Sequence, residues 1–295
     1  MPLKPISEMI KDAQAGGYAI GYFESWNLES TQGVIDAAEQ TSSPVIIGFN
    51  GDFLSHSIRT VQERLELYAA LGRAAAESSS VPCGLILNEC SRDDWTKKAC
   101  QLGFNLVMPI DSEDDYDSYL KRVTEIAECA HRYGATVEVE LGKLPSGLPS
   151  MAEHESSYTD PKTAADFVRK SGADLLAVSV GNIHVKLKGQ QGLDFDKLAT
   201  LLEKVPVPLV LHGGTGIGAE ALKKAVSMGV AKVNYGTYIK QRYLTNIREA
   251  LGNDYEDPHR LSGYGTDKDI MVIGRRAVRD AVLERIELLG CCGKA

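Results

Sequence analysis

No stretch of this chain approaches the roughly 20 consecutive apolar residues of a membrane-spanning helix. The opening Met-Pro-Leu-Lys-Pro lacks the apolar core of a secretory signal. These two absences lead us to expect a cytoplasmic protein with no membrane partner. Basic residues are outnumbered: 32 Lys and Arg stand against 40 Asp and Glu, for a net charge of −8. The longest basic clusters, such as Arg275-Arg276, are short. This balance excludes a non-specific nucleic-acid surface. The six cysteines, at 83, 90, 100, 129, 291 and 292, form no CxxC pair, and a chain of this size needs no disulfide framework. Most read as small buried side chains; Cys90 falls beside a candidate site, and Cys291-Cys292 reads as an ordinary tail. No linker rich in Pro, Gly or Ser divides the chain into halves. A doubly wound sheet would need a glycine fingerprint after its first strand, where Phe23-Glu24-Ser25-Trp26-Asn27 stands instead.

What is present is alternation. The length of 295 residues, with 43% hydrophobic and 24% charged residues, suits one large core. A helix is predicted over 7–15, placed to plug the bottom of a barrel, then strand 18–23, helix 28–40, strand 44–49, and a long helix over 57–77 with Val61, Leu65, Tyr68 and Leu71 on one face. Strand 82–87, helix 93–102, strand 104–110, helix 115–133 and strand 136–141 follow. The polar stretch 143–159, with Pro145, Gly147 and Pro149, reads as a mobile lid or an insertion. Asp160-Pro161 caps the next helix. Strand 174–180, helix 194–204, strand 207–211, helix 219–228, strand 231–235 and helices over 237–251 and 276–289 complete the chain. The pattern predicts an α/β fold, a single (β/α)8 TIM barrel spanning residues 1–295 with an N-terminal capping helix and extra C-terminal helices.

Barrel chemistry is built at the C-terminal strand tips. These carry Asn50, Asn88-Glu89-Cys90, Glu138 and Glu140, Gly181 to His184, His212, and Asn234 with Thr237. The run Val207 to Leu211 delivers His212 and passes at once into Gly213-Gly214-Thr215-Gly216 before a helix. A bare loop at a helix N-terminus binds anions, and barrels commonly hold a phosphate on the loops after strands seven and eight. His184 and His212 with a carboxylate from Glu89 or Glu140 would make a two-His, one-carboxylate metal site. Each His taken singly would serve as a strand cap. Two on adjacent strands beside a glycine loop favour the metal.

Over almost its whole length the chain resembles the class II, metal-dependent fructose- and tagatose-bisphosphate aldolase family. The matching pieces run in order: Tyr18 to Phe23 with Asn27-Leu28-Glu29, Ser43 to Ile47, Gly103-Phe104 with Val107-Met108, and Val137 to Gly142. Tyr158 to Pro161, Asp174 to Val178 leading to His184, Leu193 to Phe195, Pro208 to Gly216, Lys232 to Asn234 and Gly293-Lys294-Ala295 complete the series. The resemblance implies one divalent ion, Zn²⁺ by family, held by His184 and His212, with Glu140 a carboxylate near the metal. It places the phosphate of a dihydroxyacetone phosphate half on Gly213, Gly214, Thr215, Asn234 and Thr237. Asn50, Gly181 and Lys188 are counted with the substrate-binding candidates. The partners implied are a small phosphorylated sugar and a second or further copies of the chain, as a homodimer or homotetramer.

Departures from the family pattern fall on the chemistry. Where the family carries His-Leu-Asp-His, this chain reads Ile86-Leu87-Asn88-Glu89. Asn88 cannot exchange a proton as the family's Asp does. Glu89 keeps ligand chemistry but favours harder ions such as Mn²⁺, Fe²⁺ or Co²⁺. The Gly after the strand-six His is Val185, and the acidic residue two after Asn234 is Gly236. In place of the lid's catalytic Glu stand Glu153 and Glu155. The expected function is a metal-dependent aldolase-like lyase on a small phosphorylated ketose, through an enediolate stabilised by the metal and Asn234. The alternatives are a sugar-phosphate epimerase or isomerase on the same site, or a non-catalytic aldolase-like binding subunit.

Overall fold

Short parallel strands, each buried along most of its length, pair with the next in sequence until the last closes on the first. The computed structural model describes residues 3–110, 115–142, 158–182, 192–252 and 257–295. The strands are β1 (Ile20–Glu24), β2 (Val45–Asn50), β3 (Cys83–Cys90), β4 (Leu106–Pro109), β5 (Thr136–Leu141), β6 (Leu175–Val178), β7 (Leu209–Leu211) and β8 (Lys232–Tyr235). They form a closed barrel in the order β1 to β8, and β8 pairs with β1 in parallel with Asn234 opposite Tyr22. This is the expected (β/α)8 barrel.

The helices are α1 (Ile6–Gly16), α2 (Leu28–Gln40), α3 (Gly51–Ser55), α4 (Leu65–Ser78), α5 (Asp93–Gln101) and α6 (Tyr116–Arg132). After them come α7 (Pro161–Ser171), α8 (Phe195–Lys204), α9 (Ala219–Met228), α10 (Thr237–Leu251), α11 (Pro258–Leu261) and α12 (Ile270–Leu289). Their starts follow from the sequence. Asn27 and Ser30 form a reciprocal capping box on α2, and Asp160 and Asp194 accept from the first-turn amides of α7 and α8. α1 buries Ile6, Met9, Ile10 and Ala13. The preceding Lys4 donates its amide to Cys83 O at 3.0 Å and accepts from the Asn105 side chain at 2.8 Å, which fixes the helix at the bottom of β3 and β4. The capping role expected of it holds.

One expectation is corrected. The helix expected over 57–77 is only α4 from Leu65; the stretch 56–64 before it is irregular and follows the short α3, which ends at Ser55. Asn50 ends β2 and accepts from Phe53 N at 3.0 Å, so helix begins at once at the strand tip. Arg59 then donates to Phe53 O at 2.7 Å and Val61 O at 3.2 Å and pairs with Glu63, which uses up the carbonyls a continuous helix would need. Val61, counted as apolar periodicity, lies 70% exposed. At the other end α12 begins at 270, six residues before the expected start, because Asp269 caps it and also accepts from Gly263 N and Gly265 N.

Because Ile6 is fully enclosed beneath the barrel, Ile6→Ala is expected to lower the unfolding free energy by about 2–4 kcal/mol. Urea denaturation measures it, and a loss well below 1 kcal/mol would show that α1 does not seal the core.

Candidate active site

The Lys232 ammonium lies in the barrel at 0% exposure. Strand alternation puts Lys232 and Asn234 on the lumen face of β8. A buried ammonium requires a counter-charge, and Glu138 of β5 supplies it, Oε2 lying 2.7 Å from Nζ. The other oxygen of Glu138 stands 2.9 Å from Nε2 of His212. Asn234 accepts from Lys232 at 2.5 Å, and its amide nitrogen lies 2.8 Å from the same His212 Nε2. Burial would raise the Glu138 pKa, but the Lys232 charge and the His212 hydrogen bond hold it down at about 2. Burial lowers Lys232 from 10.5 in spite of Glu138.

An ionised Glu138 only accepts, so Nε2 of His212 carries a proton toward it and Nδ1 faces the mouth. Nδ1 has Glu89 Oε1 and Glu140 Oε2 each at 3.6 Å. Burial disfavours a charged imidazole, yet Glu140, Glu138 and Glu89 together raise the His212 pKa above 6.5. The mouth therefore draws positive charge to Nδ1. Asn182 fixes the backbone below by donating to His212 O at 3.1 Å.

Glu89 reaches this point through an irregularity. Strict alternation after the inward Asn88 would turn Glu89 outward. The β3–β4 register shifts between Leu87 and Cys90, and Glu89 adopts φ of 48°. A bulge of this kind re-aims a side chain. The carboxylate then accepts from Asn50 Nδ2 at 2.7 Å. Left-handed backbone in a non-glycine residue is strained, and such strain clusters at functional sites.

The loop after β7 and the start of α10 line the same cavity. Thr215, in the loop after β7, accepts from Tyr238 N at 3.3 Å in the first turn of α10, whose N-cap, Gly236, makes no side-chain cap bond. The cavity has a volume of about 450 Å³ and is lined by these segments together with Glu24 and Glu89. Asn50, Asn88, Glu89, His212, Gly213, Thr215, Asn234 and Thr237, all expected from the sequence, line it.

Residues 4–294 match the family model for fructose-bisphosphate aldolase class II. The chain is 32% identical to a fructose-bisphosphate aldolase of Thermus caldophilus, with 98% of each chain covered. It is 31% identical to a probable fructose-bisphosphate aldolase of Bacillus subtilis over the full length of both. The YdjI aldolase of Escherichia coli K12 superposes with a TM-score of 0.83 at 32% identity, over 99% of each chain. The chain belongs to the class II fructose-bisphosphate aldolase family. It is an aldolase-type lyase by descent and fold, and the family is metal-dependent.

For this aldolase the donor chemistry fits a divalent ion. Two ligands on one tetrahedral ion at about 2.1 Å stand about 3.4 Å apart, close to the 3.6 Å separating Nδ1 of His212 from each carboxylate. Among the described residues no three His, Cys, Asp or Glu side chains complete a metal cage. His184, Lys188, Glu153 and Glu155 lie outside the described residues. Gly181 and Gly214 shape loops and do not line the cavity.

Four groups escaped the sequence reading: Tyr22 and Glu24 of β1, Lys232, and Lys240 of α10. Glu24 pairs with Lys240 and leans over Gly236, where a Cβ would lie 2.3 Å from Glu24 Oε2. The carboxylate missing at Gly236 is thus delivered to the same space from β1. A charged residue on an apolar strand, two positions after Tyr22 on the same face, was the available signal.

Glu138→Gln leaves the Lys232 ammonium buried without a counter-charge and is expected to cost about 3–5 kcal/mol at neutral pH. Because the folded pKa of Glu138 lies below its ordinary value, its contribution is complete above pH 4.5 and disappears as pH falls toward about 2. The gap between wild type and variant should therefore close through that window in urea titrations; a constant gap would refute the pairing. In metal-free protein Glu89→Gly should melt above Glu89→Ala, by about 1 kcal/mol; equal melting would mean the left-handed backbone carries no strain.

Proposed function

We propose that the chain, as one aldolase domain over residues 1–295, cleaves and forms a carbon–carbon bond in a small ketose phosphate, with dihydroxyacetone phosphate as the half held in the cavity. The observation that carries this reading is the convergence of Glu89 and Glu140 on Nδ1 of His212, in a cavity that Gly213, Thr215 and Thr237 also line. The bisphosphate substrate in the names of the relatives supports a phosphorylated sugar here.

A bound divalent ion would polarise the ketone carbonyl and favour loss of a proton from the adjacent carbon. Glu89, His212 and His184 would hold it, with Glu140 beside them. Zn²⁺ follows from the family, while the carboxylate of Glu89 also suits Mn²⁺, Fe²⁺ or Co²⁺. Gly213, Thr215 and Thr237 offer the phosphate backbone N–H groups and hydroxyls at the start of α10, while Gly214, whose N–H donates to Asn234 O, supports the loop. Asn234, anchored by Lys232, presents its amide to the developing oxyanion. Glu153 or Glu155 would remove the proton. The working form is a cytoplasmic homodimer or homotetramer.

Asn88 favours a second reading at the same site. Its side chain lies 3.5 Å from the Asn234 amide and orients an oxygen without exchanging a proton with it. Proton abstraction survives this change better than cleavage does, so epimerisation or isomerisation of a sugar phosphate is the alternative.

Protein loaded with Mn²⁺ is expected to bind about one ion and to wash solvent deuterium into C3 of dihydroxyacetone phosphate. Glu89→Ala and His212→Ala should each slow that exchange at least about tenfold. Exchange no faster than in these variants, or no shift in melting on added metal, would overturn the enzymatic reading and leave the chain a binding subunit.

A further inference from the structure

The head of α10 carries an ion pair that the proposed chemistry leaves unused. Lys240 stands one turn into the helix, and helical side chains lean toward the N-terminus, so its ammonium comes back toward Gly236 and meets Glu24 Oε1 at 2.5 Å. The second oxygen of Glu24 rests on the bare N-cap: a Cβ at Gly236 would lie 2.3 Å from it. Both residues line the cavity together with Gly213, Thr215 and Thr237, the groups assigned above to the phosphate. Among the described residues lining it, Lys240 is the one side chain with a permanent positive charge. The Phe53 ring, its centroid 4.2 Å from the ammonium, covers it as well. An anion thus already stands where the substrate's phosphate is expected. Burial raises the pKa of Glu24, which is 8% exposed, and Lys240 opposes that rise.

We propose that Lys240 is the counter-ion of the substrate's phosphate and that Glu24 is a built-in competitor for it, which the phosphate displaces from the ammonium. This rests on the aldolase reading above. A phosphate entering beside Thr237 approaches a carboxylate of like charge and an ammonium which that carboxylate holds. Drawing the ammonium away leaves Glu24 short of its counter-charge in a buried place, and that cost offsets part of the attraction. The pair therefore sets two properties at once. In the empty site Glu24 keeps the ammonium folded against the backbone head of α10 instead of free in solvent. In the occupied site it weakens the hold on a dianion, so that a phosphorylated product can leave. A ligand without a phosphate has nothing with which to displace Glu24, and it leaves the pair closed.

Calorimetric titration of dihydroxyacetone phosphate into the Mn²⁺-loaded full chain tests the assignment. Lys240→Gln is expected to weaken binding at least about tenfold, and Glu24→Gln, which frees the ammonium and removes a like charge, to tighten it at least about threefold. Tightening by a substitution cannot arise from damage to the fold. Unchanged or weaker binding by Glu24→Gln overturns the proposal, as does binding indifferent to Lys240→Gln. Deuterium exchange into dihydroxyacetone phosphate separates this inference from the reading it rests on. Exchange by wild type, with binding that fails to move as expected in the variants, sinks the inference alone. The expected shifts without exchange keep Lys240 as the phosphate's counter-ion and sink the aldolase chemistry alone. No binding by wild type sinks both.

Discussion

Everything at the mouth of this barrel depends on an ammonium ion sealed where water cannot reach it. Lys232 would be untenable in an apolar lumen, and Glu138 makes it tenable from the far side of the sheet. The pair then organises what lies above. Glu138, kept ionised, dictates which nitrogen of His212 bears the proton, and Lys232 dictates which end of the Asn234 amide turns toward the cavity. Two functional side chains are thus aimed by charges that never touch a substrate. Removing that pair would loosen the barrel and misdirect its chemistry at once.

The barrel architecture was legible because each strand is short, apolar and followed by a helix with an ordinary cap. Asp160-Pro161 and Asp194 start α7 and α8 as their residue types require. The error at 57–77 came from counting Val61 as a core position. Side chain to backbone bonds from Arg59 decide that segment, and they carry no hydrophobic period. Residues at strand tips were equally legible, since position at a tip is a sequence property. Residues inside the lumen were not. Tyr22, Glu24 and Lys232 gain their meaning from neighbours on β8, β5 and α10, which no local pattern reveals.

The departures from the family also change character once placed. Glu89 is not a passive replacement; a bulge and a left-handed residue carry it to His212 and Asn50. Gly236 is not simply an acidic residue lost, because Glu24 occupies the adjoining space. Position 236 is therefore read together with Glu24 across the β1–β8 seam, and reading it alone would mistake a filled space for a lost group.

That seam sets the order in which the molecule can come into being. Glu24 and Lys240 are 216 positions apart in sequence, and β1 has no partner on one side until β8 exists. On the ribosome, the first strand must wait with an open edge for almost the whole length of synthesis. The cavity appears only when the ring shuts, so no nascent fragment short of β8 can hold it.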